Sequence, residues 1–305
     1  MADRRKPGLE ATRDKGWVRS HKWLLLRRVS QFGILGLFLL GPVAGVWIVK
    51  GNLAFSETLD LLPLTDPHVL LQSLLAGVDP HKEAIIGVAI VVIFYALVGG
   101  RVFCSWACPV NLVSDAACCV RRWLGIKSST QIDRSTRYWV LGLTLVFPVL
   151  TGTIVWELFN PVSIVFRGIV FGWGLAWVLL AGIFLFDIFV SKDGWCGRVC
   201  PVGAFYSLVG SKSLIRVVAD DRDKCDDCMD CFEVCPEQQV IRPALYGKEK
   251  GIGPVILSPN CTNCGRCIDV CAKDVFHFGS RFANEKPKMN STAEEADERK
   301  YVDAA

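Results

Sequence analysis

The chain has 305 residues, a formal net charge of +4, 51% hydrophobic residues and a mean hydropathy of +0.35. That is too apolar for an ordinary soluble domain, and its ten Trp and 17 Phe suit contact with a membrane interface. The small net charge gives no footing for nucleic acid, and neither a G-x-G-x-x-G loop nor a P-loop is present to bind a nucleotide.

Residues 1–28 carry Arg4, Arg5, Lys6, Arg13, Lys15, Arg19, Lys22, Arg27 and Arg28. Arg4-Arg5 could open a twin-arginine export signal. The apolar run starts more than twenty residues later, however, and no small-residue cleavage site follows. A basic cytoplasmic arm ahead of an uncleaved helix is the better reading.

Four apolar runs follow, over residues 29–49, 84–103, 138–156 and 169–190. Each is about 20 residues, the length that crosses a hydrocarbon core about 30 Å thick. Pro42 and Pro148 are expected to kink their helices. Lys and Arg number nine in residues 1–28, two in 50–83, six in 101–137 and one in 157–168, and are frequent again after residue 190. By the positive-inside rule this alternation predicts cytoplasmic termini. The expected fold is therefore an α-helical membrane protein, with four transmembrane helices in two pseudo-repeated pairs over residues 29–212. The expected location is a bacterial inner membrane.

The two loops expected outside offer Asp60, Asp66, His68 and Glu157 as groups able to take protons from a quinol, beside the blander reading of interfacial polarity and helix capping. Asp187, near the inner end of the fourth run, is expected to snorkel or to pair with a basic neighbour.

The second and fourth runs each end in a C-x3-C-P motif: Cys104, Cys108 and Pro109, then Cys196, Cys200 and Pro201. Proline suits the first position of a helix, so each Cys-Pro should open one, at 109–124 and 201–209. A thiol at a helix N-terminus is expected to have a lowered pKa. The repeat implies pseudo-twofold symmetry that gathers Cys104, Cys108, Cys196 and Cys200 at one boundary. They are candidates for a further iron–sulfur centre, for redox-active dithiols or for plain buried cysteines. Cys118 and Cys119 have no counterpart in the second copy and read as structural.

Residues 213–283 hold the strongest signal. Cys225-x2-Cys228-x2-Cys231-x3-Cys235-Pro236 is followed by Cys261-x2-Cys264-x2-Cys267-x3-Cys271-Ala272. This is the ligand pattern of a two-cluster bacterial ferredoxin, in which the fourth cysteine of each run ligates the other cluster. On that rule Cys225, Cys228, Cys231 and Cys271 hold one [4Fe–4S] cube. Cys261, Cys264, Cys267 and Cys235 hold the other. A zinc site would use two C-x-x-C pairs rather than a triple with a distant fourth, and disulfides would need an oxidising compartment. An α+β ferredoxin-like domain is expected here, on the cytoplasmic side.

No C-x-x-C-H motif offers covalent haem, and none of His21, His68, His81 and His277 falls inside a predicted span. Residues 284–305 are charged, lack periodicity and are expected to be disordered.

Taken together, the chain resembles the NapH family, the membrane-integral ferredoxin-type quinol dehydrogenase subunits of periplasmic nitrate reductase systems. The likeness is carried by Gly16-Trp17-Val18-Arg19-Ser20-His21, Pro63-Leu64-Thr65-Asp66-Pro67, Phe103-Cys104-Ser105-Trp106, Asn160-Pro161-Val162-Ser163, Gly194-Trp195-Cys196-Gly197 and the two ferredoxin runs. The resemblance implies electron passage from quinol toward the nitrate reductase, beside a periplasmic ferredoxin-type subunit and a tetrahaem cytochrome. A rival reading is a membrane-anchored ferredoxin that assembles, maintains or senses a partner redox enzyme. Clusters expected in the cytoplasm and an acceptor expected in the periplasm leave the electron route across the membrane without a sequence-based account.

Overall fold

The computed structural model describes residues 6–126, 129–130, 132–172, 174 and 176–283. Arg4, Arg5 and the tail expected to be disordered lie outside the described residues.

The amino-terminal arm is folded against the carboxyl-terminal domain. Helices Leu9–Lys15 and Trp17–Ser20 lead into a long helix, Lys22–Ala44. The Gly8 amide donates to Asp230 Oδ2 at 2.7 Å, and Lys15 binds the Cys271 carbonyl and Asp274. The long helix has no cap of its own sequence. Asp269, 245 residues later, accepts from the Trp23 and Leu24 amides at 3.1 and 2.9 Å, satisfying donors that a helix start leaves open.

The expectation of four transmembrane helices is overturned. Among the described residues only Lys22–Ala44, at 23 residues, is long and apolar enough to cross a membrane. The second run gives Lys82–Val98, 17 residues, and the third gives Thr136–Thr151, 16 residues. The fourth is divided. Pro161–Phe171 ends before Gly172, and Ala176–Leu185 then runs into a π-helical turn, Phe186–Val190. At 1.5 Å per residue, helices this short fall below the hydrocarbon thickness. A hydropathy window counts apolar residues across a helix break as readily as within a helix, and that is where the reading failed. One break is enforced by packing at Gly100. A Cβ there would lie 1.7 Å from the Tyr206 carbonyl oxygen, so only glycine lets the two backbones meet.

The stretch expected as a plain external loop is a three-stranded antiparallel sheet, Val49–Gly51, Phe55–Thr58 and Leu62–Thr65. Helix Pro67–Leu75 follows, with Asp66 as its N-cap. Each Cys-Pro opens a helix, Val110–Trp123 after Cys108-Pro109 and Pro201–Val209 after Cys200. Between them Phe103, Val110, Val162, Ile183, Val202 and Tyr206 form an apolar core. Tyr206 stacks on Phe103 with centroids 5.2 Å apart and meets Tyr95 edge-on at 5.0 Å, contacts worth about 0.5–1.5 kcal/mol each beyond area burial.

In the carboxyl-terminal domain, Ile215–Val218 pairs antiparallel with His277–Ser280, so the first and last strands close the unit. Helices Asp230–Val234, Ile241–Tyr246 and Arg266–Val270 complete it. Its core includes Val217, Phe232, Ile241, Leu245, Ile256 and Phe276.

Candidate metal centres

Two cavities open inside the ferredoxin domain. One is lined by Cys225, Cys228, Cys231 and Cys271, with Met229, Phe232 and Tyr246. The other is lined by Cys235, Cys261, Cys264 and Cys267. Each cavity therefore draws three cysteines from one run and one from the other, the grouping expected from spacing. The two runs fold alike. Asp227 and Asn263 occupy left-handed backbone at equivalent positions, and so do Met229 and Gly265. Gly265 has a second reason to be glycine, since a Cβ would sit 2.6 Å from the Trp23 ring.

None of the described cysteines is in a disulfide. Burial, with the neighbouring thiols, pushes Cys231 up to about 12, and burial pushes Cys261 up to about 11. Thiols crowded in this way hold their protons until a cationic centre displaces them. Among the described residues no three His, Cys, Asp or Glu side chains converge on a point suited to a single metal ion. Four sulfurs lining one cavity suit a polynuclear cluster, and backbone amides of Asp227, Asp230, Glu237 and Asn263 point at Cys225, Cys228, Cys235 and Cys261.

The surroundings of the cavities differ in charge. Asp226, Asp227 and Asp230 stand around the first, where Cys228 is exposed. Arg27 and Arg266 lie within Coulombic reach of Cys264, and Arg216 and Arg101 within reach of Cys261.

The four C-x3-C-P cysteines are brought together. Cys108 is within Coulombic reach of Cys104 and Cys200, and Cys196 of Cys108 and Cys200. Their expected low pKa does not appear. Burial outweighs the helix N-terminus, raising Cys200 to about 11 and Cys108 further. Cys118 is buried, whereas Cys119 is exposed.

A buried ion network joins this group to the second cavity. Arg101 donates to Glu237 Oε1 at 2.7 Å, to the Asn260 carbonyl at 2.8 Å and to the Cys196 carbonyl at 3.1 Å. Arg137 donates to the same Glu237 oxygen at 3.0 Å and to Asn260 Oδ1 at 2.5 Å. Burial alone would raise the Glu237 carboxyl; Arg101, Gln239 and Arg137 outweigh it and hold the group below its usual range. Sequence reasoning missed this network, because Arg101 and Arg137 read only as loop charges. Glu237, directly after Cys235-Pro236, was the one available signal.

The proton-accepting candidates are distributed unevenly. Asp60 is an exposed ion-pair partner of Lys50 at 2.6 Å and stands apart. Asp66 lies within Coulombic reach of Glu157, and burial with that neighbour raises it to about 7. His68 is fully buried between Thr144 at 3.2 Å and Gln72, and burial lowers it to about 4. Asp187 does not snorkel, and its carboxylate is held by a main-chain amide. It is fully buried and accepts the Trp195 amide at 2.9 Å, while Arg121 binds its main-chain carbonyl instead.

A family model described as a 4Fe-4S binding domain matches residues 81–127 and again 173–217, one C-x3-C-P motif in each match. A second, described as a 4Fe-4S dicluster domain, matches 224–275. The ferredoxin-type protein NapH of Escherichia coli is 47% identical over 285 residues, 93% of this chain and 99% of its own. NapH of Haemophilus influenzae is 49% identical over 90% of this chain and 96% of its own. The methylamine utilization ferredoxin-type protein MauN of Methylorubrum extorquens is also 49% identical, over 91% of this chain and 96% of its own. No solved structure matches the chain.

Proposed function

Because this chain belongs to the NapH family of ferredoxin-type proteins, and is an iron–sulfur electron-transfer protein, we propose that it serves as a quinol dehydrogenase component passing electrons to a partner redox enzyme. The observation that carries this reading is the pair of cavities, each lined by four cysteines interleaved from the two runs. Cys225, Cys228, Cys231 and Cys271 would hold one [4Fe–4S] cluster, and Cys235, Cys261, Cys264 and Cys267 the other. When bound, each cluster supplies a one-electron relay.

The protein's own contribution is placement and electrostatics. Amides directed at the sulfurs and the contrast between acidic and cationic surroundings tune the two sites differently. Asp66, beside Glu157, is placed to accept a proton released by a quinol. The long helix Lys22–Ala44 exposes Leu25, Val29, Phe32, Leu37 and Val43, and Trp139, Phe171 and Trp177 are exposed on other helices. An apolar surface of this extent suits lipid contact and supports attachment to the inner membrane through this helix.

The partner that the family resemblance implies is a periplasmic nitrate reductase system with a ferredoxin-type subunit and, in some such systems, a tetrahaem cytochrome. MauN proteins, named for methylamine utilization, are equally similar. The relay is thus the common element and the terminal partner the variable one. The test is to add reduced quinol to membranes containing the full chain and follow the clusters by electron paramagnetic resonance. Fast, inhibitor-sensitive reduction is expected. Clusters that stay oxidised, beside a partner enzyme lacking its own cofactor, would favour an assembly or maintenance role.

A further inference from the structure

The two ferredoxin runs differ at one position that their spacing does not explain. Pro236 follows Cys235, but Ala272 follows Cys271. Proline fixes φ and so stiffens the chain after a ligand. Cys235 has that support, and Glu237 just beyond it is anchored by Arg101 at 2.7 Å and Arg137 at 3.0 Å. The segment after Cys271 has no proline, and Asp274, three positions on, sits in left-handed backbone at φ 52°. The fold holds this segment from outside. Lys15, 256 residues before Cys271, donates to the Cys271 carbonyl and to the Asp274 carboxylate with one ammonium.

The arm around Lys15 is itself anchored at both ends. The Gly8 amide donates to Asp230 Oδ2 at 2.7 Å, and a Cβ on Gly8 would lie 3.1 Å from the Val270 side chain. At the other end the Trp23 ring lies against Gly265 and meets Phe278 edge-on at 4.6 Å, while Asp269 accepts from the Trp23 and Leu24 amides. The arm thus crosses helix Arg266–Val270, which carries Cys267 of the second cavity and leads directly to Cys271 of the first. Ala11, in the middle of helix Leu9–Lys15, is fully buried. The Lys15 side chain is 7% exposed and that of Asp274 60%. Water therefore screens the carboxylate and leaves the ammonium charge largely unscreened beside Cys271.

We propose that Lys15 is a positioning residue for the first cluster: it fixes, through the Cys271 carbonyl, the one ligand that reaches that cavity from the other run, and its charge favours the reduced cluster. The assignment rests on the two-cluster reading and gives the basic arm a part in it beyond membrane orientation. Adding an electron makes a cluster more negative, so a cation held at a ligand residue raises the potential. Asp226 and Asp227 line the same cavity and act the other way, and Lys15 offsets part of their effect together with the lining Lys273. Arg13 lies on the same short helix but is exposed, so its charge is spent on solvent.

The test is a potentiometric titration of the full chain, purified anaerobically and followed by electron paramagnetic resonance, with Lys15→Met, Lys15→Arg and, as a control, Arg13→Met. Lys15→Met should lower the equilibrium constant for reducing the first cluster by about tenfold, which is about 59 mV for one electron, and should shift the second cluster far less. Lys15→Arg keeps the charge and should restore most of the potential. Arg13→Met should match the unmodified protein. A first-cluster potential unmoved by Lys15→Met, or moved equally by Arg13→Met, would overturn the assignment and leave the two-cluster reading standing. Should Lys15→Met fail to fold or to assemble the first cluster, amine labelling of the unmodified chain decides. Lys15 should stay unlabelled while the exposed Lys6 and Lys22 react, and equal labelling of all three would overturn the contact. Absence of cluster signals from the unmodified chain would instead defeat the reading on which the proposal rests.

Discussion

Arg101 and Glu237 form an ion pair at 2.7 Å with both side chains at most 2% exposed, although they lie 136 residues apart. The pair ties the first C-x3-C-P segment to the loop that carries Cys235 and, through Asn260, to the loop that carries Cys261. Removing the carboxylate charge strands Arg101 and Arg137 as buried cations. Breaking a buried pair from one side typically costs about 3–5 kcal/mol. Glu237→Gln should lower stability by that order in chemical denaturation. The perturbation should also reach the resonance of the second cluster more than that of the first.

The interleaved ligand sets predict crossed effects of single cysteine changes. Cys271 lies in the second run but lines the first cavity, and Cys235 does the reverse. Cys271→Ser should therefore alter the cluster held by Cys225, Cys228 and Cys231. Cys235→Ser should alter the one held by Cys261, Cys264 and Cys267. Resonance spectra of the two variants, each compared with Cys228→Ser and Cys264→Ser, check this. Matching of Cys271→Ser to Cys264→Ser would contradict the geometry.

The charge contrast predicts the order of reduction. Adding an electron makes a cluster more negative, which nearby guanidiniums favour and carboxylates oppose. Arg27, Arg266, Arg216 and Arg101 lie within Coulombic reach of the second set of sulfurs, against one lining carboxylate, Glu237, whereas Asp226, Asp227 and Asp230 stand by the first, against one lining cation, Lys273. In a potentiometric titration the second cluster should be reduced first. Asp226→Asn/Asp227→Asn should raise the potential of the first cluster and narrow the gap between the two.

Asp66 predicts a pH dependence. Its carboxyl is raised to about 7 by burial and by Glu157, above the unfolded value of 3.8. A base must be deprotonated to take a quinol proton, so quinol-driven cluster reduction should quicken as pH rises through about 7. Stability runs the opposite way. The folded chain holds a proton that the unfolded chain has lost, so this group's contribution is full below about pH 4 and is lost as pH rises through about 7. Asp66→Asn keeps a good helix cap. It should flatten the pH profile of the rate, and it should remove the decline in denaturation midpoint between pH 4 and 7.

The grouping of the eight cysteines around two cavities was legible in the sequence because the spacing within each run sets the local turns. Local turns place Cys225, Cys228 and Cys231 around one cavity whatever the rest of the chain does. The Cys-Pro helix starts were legible for the same local reason. Gly100 against Tyr206 was not, because a helix break enforced from more than 100 residues away leaves no mark on a hydropathy window. Asp269 capping the long helix and Asp230 holding Gly8 were likewise invisible, since each joins partners separated by most of the chain. Asp187 looked like a snorkelling acid only while its helix was taken to end at a membrane surface.

The two cysteine runs are proposed to hold two four-iron clusters on interleaved ligands. Mössbauer and electron paramagnetic resonance spectra of the anaerobically purified full chain test it most directly. The account predicts two reduced [4Fe–4S] signals, magnetically coupled and attributable to the ferredoxin cysteines. Folded, active protein without iron at Cys225–Cys271 would contradict it.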